Sequence, residues 1–555
     1  MFHVEQIITI SKKVFYMIIS GMLVNVLERA IYPALIHFEK GRIISVERTD
    51  VAPPTFILPG LIDAHIHIES SMITPGAFAT SAVRHGTTGV VSDPHEIANV
   101  LGIEGVDFMI NDAEKVPLRF WFGAPACVPA TEFESSGAVI DSEGIETLLS
   151  GRKIKYLSEM MNFPGVIYEN EEIHRKLRIA RKYNKPVDGH APGLSGDNLK
   201  KYISAGISTD HECSTLAEAK EKISLGMKVL IREGSAARNL QELKSLLNTD
   251  PQNVMLCSDD LHPGMLVERH INKIAAALIS EGFDIFNVIG ACTINPVLHY
   301  GLEAGLFRPG DPADFILADD LKKLDVLETW IDGKKVFDRG TVLFEYKRGY
   351  KINKFNCSEI TEKMIRVSRT AEKMRVIEAF DGELLTKNII TATGSGKYVE
   401  ADTAADLLKI VVKDRYNDSL PAIGFIKGFG LRKGAFASSV AHDSHNIICI
   451  GTNDREIVAA VNEIIRMKGG LSVSSKGKIS SLRLDIAGIM SDHSCEEVAA
   501  DYEALSNEVR IFGSGLKAPF MTLSFMALLV IPELKIGDRG LFDVNKFSLT
   551  SLFVD

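Results

Sequence analysis

The sequence lacks the features that mark several classes of protein. Its seven cysteines are scattered and form no C-x-x-C pair, which argues against a disulfide scaffold or a structural zinc ribbon and favours a reducing compartment. No apolar run reaches the ~20 residues of a membrane span, and Val14–Leu27 lacks the cleavage site of a signal peptide. With 62 basic and 72 acidic residues, the net charge of −10 gives no overall attraction to nucleic acid or anionic lipid. We therefore expect a cytoplasmic protein without nucleic-acid or membrane partners.

What is present is the composition of a soluble globular protein of several units, with 46% apolar and 24% charged residues in a chain of 555. Residues 1–55 contain short strand-like runs, and similar runs return in residues 306–350, so we predict that the two segments form one small composite β domain. Residues 56–305 alternate strand-like runs with helical patterns, which is typical of βα units around a parallel sheet. Residues 351–555 are predicted to form an additional C-terminal α/β domain, with one helix over Glu456–Met467.

The middle region contains eight strand-like runs, which is the number and spacing of a TIM-like (β/α)8 barrel. The runs are Phe56–Ala64, Thr88–Ser92, Leu118–Gly123, Ile154–Glu159, Pro186–Asp188, Ile207–Asp210, Lys228–Arg232 and Val254–Ser258. The carboxyl ends of barrel strands point to one mouth, so side chains that follow them converge even when they are far apart in sequence. The predicted fold is therefore α/β: a (β/α)8 barrel, the small composite β domain from its flanks, and the C-terminal domain.

Candidate metal ligands follow most of these runs. His65 and His67 leave the first strand on the same side, because side chains alternate with period two, and two such imidazoles can bind one divalent cation. A second imidazole pair, an oxygen bridge and a further carboxylate come from later strands: His190 and His211, Glu159, and Asp259. Six ligands exceed what one tetrahedral ion needs. The sequence thus predicts a two-metal site that supplies hydroxide at neutral pH, with Asp259 as the group that moves its proton.

Other polar residues near the same strand ends are predicted to orient ligands or substrate: Asp93, His95, Glu96, Arg232 and Asp260. A lone histidine at such a position is more often a hydrogen-bonded core residue, and Arg232 with Glu233 is open to interpretation as a structural ion pair. In the C-terminal domain, His442, Asp443 and His445 are either a turn network or a lid near the site. The H-E-x-x-H and phosphate-loop motifs are not completed anywhere in the chain.

Longer motifs carry a family resemblance. Pro59 to His67, read as PGLIDAHIH, resembles the first-strand motif of the amidohydrolase superfamily. Several others resemble the adenine deaminase (adenine aminohydrolase) family: HIESSM from His67, DPHE from Asp93, EMM from Glu159, DGHAPG from Asp188, REGSAARN from Arg232, SDD from Ser258, AHDSHN from Ala441 and AGIMSD from Ala487. The similarity extends over nearly the whole chain.

The resemblance implies the hydrolysis of adenine to hypoxanthine and ammonia in purine salvage, with two divalent metal ions, manganese or iron. By position it implies that His65, His67, His190, His211 and Asp259 are metal ligands, and that Glu159 stands where many superfamily members have a carboxylated lysine. It also suggests that Glu233 lies beside the purine and protonates a ring nitrogen. We further expect a homo-oligomer. The alternatives are an amidohydrolase for a related heterocycle or cyclic amide, and a barrel scaffold without catalysis.

Overall fold

The computed structural model describes residues 16–151 and 153–554. Residues 1–15 lie outside the described residues, and they include the first residue of a predicted strand-like run, Phe15–Val26, and the start of the Val14–Leu27 segment. No helix within the described ranges is both long and apolar enough to cross a membrane.

The two flanking segments meet in one eight-stranded sheet, as predicted for the composite β domain. In spatial order its strands are Thr341–Val342, Lys334–Asp338, Val326–Ile331, Phe315–Ala318, Phe56–Pro59, Met17–Asn25, Ala30–Glu39 and Arg42–Arg48. The alternating apolar residues of these strands pack around Phe38, Phe315 and Trp330. Phe315 and Trp330 stack with ring centroids 5.5 Å apart, so the sheet has a core of its own beside the barrel.

Eight short parallel strands form the barrel, in agreement with the prediction. We number them β1 to β8 in chain order: Leu61–His67, Thr87–Ser92, Arg119–Ala124, Ile154–Met160, Val187–Gly189, Thr209–Asp210, Lys228–Arg232 and Val254–Cys257. Asp259–Asp260, just after β8, pairs in parallel with β1 and closes the ring on that side. Between β5 and β6, Ser208 N donates to Val187 O at 2.9 Å. All eight carboxyl ends therefore face one mouth.

Helices connect the barrel strands and cover their outer side. They are Pro75–Ala82, His95–Leu101, Ile103–Ala113, Ser142–Ser150, Phe163–Ile167, Glu171–Lys182, Gly196–Ser204, Leu216–Ser224, Leu240–Leu243, Leu246–Thr249, Pro263–Glu268, Ile271–Ser280, Ile285–Ala291 and Ile294–Tyr300. Short 3-10 turns lie at Ile68–Ser71, Val83–His85 and Pro251–Asn253. The helix that begins at His95 follows β2 directly, so its first turn lies at the barrel mouth.

The predicted first barrel strand, Phe56–Ala64, is in fact divided at Gly60. Phe56–Pro59 pairs with Phe315–Ala318 of the composite sheet, whereas β1 pairs with β2 in the barrel. A Cβ atom at Gly60 would lie 2.1 Å from Thr88 Oγ1, so glycine is needed where the chain passes from one sheet to the other. The continuous apolar run conceals this change, because both halves are buried.

The C-terminal region, residues 351–554, contains a nine-stranded sheet. Its strands are Lys373–Ala379, Thr386–Ala392, Leu408–Lys413, Ala422–Lys427, Ala435–Ser438, Ile447–Gly451, Gly470–Ser475, Lys478–Arg483 and Phe553–Val554. Smaller pairings join Val367–Ser368 to Tyr398–Val399, and Leu534–Gly537, Gly540–Asp543 and Ser548–Leu549 to one another. Its helices are Asp454–Met467, Cys495–Ile511 and Pro519–Ser524, with 3-10 turns at Glu362–Ile365 and Phe525–Ala527.

The predicted helix at Glu456–Met467 begins two residues earlier. Asn453 caps it, because its Oδ1 atom accepts a hydrogen bond from Glu456 N at 3.0 Å. The C-terminal region packs closely on the barrel: one buried apolar cluster contains Phe78 and Phe108 of the barrel helices together with Phe436 and Phe520 of the C-terminal region. This shared core holds the C-terminal region against the barrel mouth.

Candidate metal centre and active site

The carboxyl end of β1 supplies two imidazoles that face the same space. His65 Nε2 and His67 Nε2 lie 3.2 Å apart, as the period of two predicts for a strand. His67 Nδ1 lies 3.1 Å from the backbone oxygen of Asp93 at the end of β2. Because a carbonyl oxygen only accepts, Nδ1 carries a proton in this contact, and Nε2 is the nitrogen that faces the site.

Glu159, near the end of β4, is the centre of the cluster. Its Oε2 atom lies 2.8 Å from His190 Nδ1 and 3.2 Å from His211 Nε2. Its Oε1 atom lies 3.4 Å from His67 Nε2 and 3.3 Å from His95 Nδ1. One carboxylate thus contacts four imidazoles, two through each oxygen, which suits a carboxylate that bridges two metal positions.

Asp259 closes the cluster from the end of β8. Its Oδ1 atom lies 3.5 Å from His65 Nε2 and 3.3 Å from His67 Nε2. Its Oδ2 atom accepts a hydrogen bond from Arg232 Nη1 at 2.8 Å. The backbone φ of Asp259 is 57°, a left-handed conformation that is uncommon for a residue with a side chain. Such strain concentrates at functional sites, where the surrounding structure holds it.

The imidazoles and Arg232 keep the central carboxylates ionised. Burial by itself raises the pKa of Glu159, but His190 and His211 outweigh it and hold that pKa well below its usual range. Burial also opposes ionisation of Asp259, whereas hydrogen bonds from the two β1 imidazoles and the charge of Arg232 hold the pKa of Asp259 well below its usual range. Ionised carboxylates beside imidazoles are the form that binds a cation.

The donor set fits a divalent metal. Asp93 Oδ2 lies 3.2 Å from His95 Nδ1, and the other carboxylate oxygen of Asp93 is buried without a hydrogen-bond partner. Three groups of side chains each present ligand atoms within 4.8 Å of one another: His67, Asp93, His95 and Glu159; His65, Glu159 and His211; and His65, His67 and Asp259. Nitrogen and oxygen donors of this kind bind divalent transition metals.

Of two other predicted residues, Asp260 lies beside this cluster, where it pairs with His67 along the strand, whereas the side-chain contact of Glu233 is with Arg238. Asp260 accepts a hydrogen bond from Ser70 Oγ. The Oε1 atom of Glu233 lies 3.4 Å from Arg238 Nη1, and the Glu233 side chain is 15% exposed. Burial raises the pKa of Glu233, against the opposing charges of Arg238 and Arg269. Glu233 therefore holds a proton more readily than an ordinary glutamate does.

Glu212 is a member of the site that the sequence analysis did not select. Its Oε1 atom lies 3.6 Å from His190 Nδ1 and 3.5 Å from His211 Nε2. Arg232 contacts both Glu212 oxygens, with Nη2 donating to Oε2 at 2.9 Å. Because Arg232 also binds Asp259, it orients two carboxylates at once. The available signal was its position directly after His211, at the end of a predicted barrel strand.

Asp63 is a second residue that the sequence analysis missed. It accepts hydrogen bonds from Ser258 N at 3.0 Å and, through Oδ2, contacts His270 Nε2 at 2.9 Å. It therefore connects β1 to the end of β8 and to the start of the helix Ile271–Ser280, next to the two β1 histidines. The sequence signal for Asp63 was the alternation of side chains along a strand, which places Asp63 on the same side as His65 and His67.

Residues of the C-terminal region reach the barrel mouth beside this cluster. His442 Nδ1 contacts Glu96 Oε1, and His445 Nε2 contacts Glu96 Oε2. His95 Nε2 lies 3.5 Å from Glu96 Oε1 and 3.8 Å from Asp443 Oδ1. The AHDSHN segment thus lies over the mouth, where we expected it if it were a lid, and it does so through direct contacts with the first turn after β2.

Two family models match the chain in agreement with this architecture. The model described as Amidohydrolase family matches residues 56–336, and the model described as Adenine deaminase C-terminal domain matches residues 383–548. The first of these, with a barrel that gathers buried imidazoles and carboxylates at its mouth, defines a metal-dependent hydrolase of the amidohydrolase type.

Curated relatives make the family more specific. An adenine deaminase from Methanosarcina barkeri is 51% identical over 545 residues, covering 96% of this chain and 99% of that protein. An adenine deaminase from Salinibacter ruber is 48% identical over 540 residues, covering 97% of this chain and 99% of that protein. The chain belongs to the adenine deaminase family of amidohydrolases, which confirms the resemblance seen in its motifs.

Proposed function

We propose that this chain catalyses the hydrolytic deamination of adenine to hypoxanthine and ammonia, and that it serves purine salvage. The observation that carries the proposal is the contact of Glu159 with four imidazoles at the barrel mouth. The relatives named adenine deaminase, about half identical over nearly the full length, support adenine as the substrate.

Two divalent metal ions are proposed to bind at this cluster, where Glu159 would be an oxygen ligand. The proposed ligands are His65, His67, Glu159, His190, His211 and Asp259. Bound divalent ions acidify water at neutral pH and so provide a nucleophile for attack on carbon. The absence of thiolates from this nitrogen and oxygen donor set supports manganese or iron as the metal.

Asp259 is proposed to move the proton of the attacking water. Its lowered pKa keeps it a carboxylate that accepts a proton, and Arg232 holds Oδ2 so that Oδ1 faces the imidazoles. Asp259 then delivers this proton to the amino group on C6 of adenine, which leaves as ammonia.

Glu233 is proposed to protonate a ring nitrogen of adenine, which makes C6 more electrophilic. The raised pKa of Glu233 supports this role, because an acid near neutral pH must hold its proton until the substrate is bound. The atoms balance: the water oxygen stays on C6, one water proton leaves with ammonia, and the other replaces the proton that Glu233 gives to the ring.

The test of the proposed function is to add free adenine to metal-loaded protein and measure ammonia and hypoxanthine, with adenosine and guanine as controls. We expect ammonia from adenine and far less from either control. Ammonia from a control compound but not from adenine would transfer the reaction to another heterocycle. Protein that contains metal but releases no ammonia from any of the three would reject the deaminase proposal.

We further propose a cytoplasmic location and a homo-oligomeric assembly. The location is supported by seven free cysteines, six of them buried, since free thiols persist in a reducing compartment. Cell fractionation tests the location, and light scattering of the purified chain tests the assembly.

A further inference from the structure

A second group of metal-binding side chains lies where the AHDSHN segment of the C-terminal region meets the barrel. We call it the Glu96 cluster and define it by five residues: His95, Glu96, His442, Asp443 and His445. All five are buried, with between 1% and 5% of each residue exposed. Two come from the first turn of the helix after β2, and three come from one short segment more than three hundred residues later in the chain.

Glu96 is surrounded by imidazole nitrogens on both of its oxygens. His442 Nδ1 lies against Oε1, and His445 Nε2 lies against Oε2. His95 Nε2 approaches Oε1 to 3.5 Å. The arrangement therefore resembles that around Glu159, where a single buried carboxylate also contacts several imidazole nitrogens.

Several atoms of the Glu96 cluster are buried with no hydrogen-bond partner. They are Glu96 Oε2, Asp443 Oδ2 and His445 Nε2. His445 Nε2 and Glu96 Oε2 face each other in a close contact, whereas Asp443 Oδ2 has no such partner. An unsatisfied buried polar group is costly. His95, Glu96 and Asp443 each present a ligand atom within 4.8 Å of the others, which is the kind of spacing that donors take around one cation.

His95 connects this group to the Glu159 cluster, which we define as Glu159 and the four imidazoles that contact it, those of His67, His95, His190 and His211. Its Nδ1 atom lies 3.3 Å from Glu159 Oε1, and its Nε2 atom faces Glu96 and Asp443. The two ring nitrogens of one imidazole thus point into two separate donor sets. The sets have only His95 in common.

We propose that the Glu96 cluster binds a further divalent cation between the barrel and the C-terminal region, in addition to the metal at the Glu159 cluster. Glu96, His442 and His445 are the principal ligands, and His95 Nε2 and Asp443 complete the donor set. The cation joins two parts of the chain that are also held together by apolar packing and by hydrogen bonds, such as the one from Ser491 N to Met72 O at 2.8 Å. The proposal concerns metal binding and does not depend on adenine being the substrate.

The first test is the metal content of the full chain, measured by mass spectrometry after loading with Mn²⁺ and removal of free metal. We expect about three equivalents per chain for the unchanged protein, with the Glu96 cluster counted beside a two-metal centre. The double variant His442→Gln, His445→Gln is expected to lose about one equivalent and to keep the rest. His493→Gln serves as the control, because His493 is an exposed histidine of the same region, with 51% of its side chain accessible.

The second test needs no substitution, so it is independent of whether the double variant folds. Metal-free protein is titrated with Co²⁺, and the absorption of the bound ion is followed to saturation. Saturation at about three equivalents supports the proposal, whereas saturation at two overturns it and leaves Glu96 in a charge-paired network with protonated imidazoles. A double variant that folds and binds as much Mn²⁺ as the control also overturns it. Both tests measure bound metal rather than activity. If the protein did not deaminate adenine, the two metal counts would still decide whether the Glu96 cluster binds a cation.

Discussion

The Glu159 cluster and the Glu96 cluster share a chemical plan but are built by different parts of the chain. In each, a buried carboxylate presents both oxygens to imidazole nitrogens. Glu159 collects partners from barrel strand ends and their loops, so folding of the barrel is sufficient to assemble them. Glu96 takes His442 from a position 346 residues away. The first site is therefore intrinsic to the barrel, whereas the second exists only when the C-terminal region docks.

The largest effect is expected for Glu159→Gln, which removes the negative charge that contacts four imidazoles at the barrel mouth. Turnover of adenine should fall by about 10⁴-fold, or ~5 kcal/mol of transition-state stabilisation, because the metal centre provides several kcal/mol. Steady-state ammonia release and metal content measure the change. Glu171→Gln, at a side chain that is 76% exposed, is the matched control. Unaltered turnover in Glu159→Gln would contradict the bridging role.

Arg232→Met tests how far the barrel site depends on its neighbouring ion pairs. Arg232 is 5% exposed and binds both Glu212 and Asp259. Its removal therefore leaves two buried carboxylates without the positive charge of the guanidinium group. We expect the free energy of unfolding of metal-free protein to fall by about 3–5 kcal/mol. Denaturant unfolding measures this, with Arg178→Met, 56% exposed, as the control. A loss no larger than that of the control would show that the imidazoles alone compensate these charges.

Glu233→Gln separates proton transfer from metal binding at the barrel site. Turnover should fall by about 10²–10³-fold, as for loss of a general acid, while metal content stays at the wild-type level. Because burial raises the pKa of Glu233, the protonated form persists to higher pH, and kcat/KM should decline as pH rises through that raised pKa. The variant should lack this decline.

Glu268→Gln, at an exposed glutamate at the end of the helix Pro263–Glu268, is the control for Glu233→Gln. Wild-type turnover in the Glu233 variant, or a pH profile identical to that of the unchanged protein, would reject Glu233 as the acid.

The smallest effect is expected for Tyr416→Phe, which acts on the segment that carries the Glu96 cluster. The Tyr416 hydroxyl donates to Ser444 O at 2.6 Å within the buried segment. Its loss should reduce the free energy of unfolding by about 1 kcal/mol and change adenine turnover by less than about twofold. Tyr168→Phe, at a residue 81% exposed, is the control in both assays. A large loss of turnover would instead show that the barrel site depends on this segment.

Much of the barrel site could be predicted because it follows from local regularities. The spacing of His65 and His67 implies a shared side of a strand, and their ring nitrogens lie 3.2 Å apart. Glu159 was predicted because it ends a strand in a run of regularly spaced βα units. Glu212 was missed for the opposite reason: it lies in a loop after β6, and its role depends on Arg232 from the next strand.

The boundary between the composite sheet and the barrel was predicted incorrectly for a similar reason. Phe56–Pro59 and Leu61–His67 are both buried, and burial alone does not reveal which sheet a strand joins. Gly60 marks the change only when its close approach to Thr88 is known. Boundaries of this kind depend on pairing partners distant in sequence.

The amino-acid sequence alone was sufficient to predict the barrel, the flanking β domain and most of the residues at the barrel mouth. Side-chain alternation along a strand and the spacing between strands are local properties, so a single sequence reveals them. Tertiary structure decided which residues beyond the strands enter the mouth. Glu96 meets His442 and His445 because a shared apolar core seats the C-terminal region there. No local pattern encodes such a contact, because it depends on how two parts of the chain that are distant in sequence pack together.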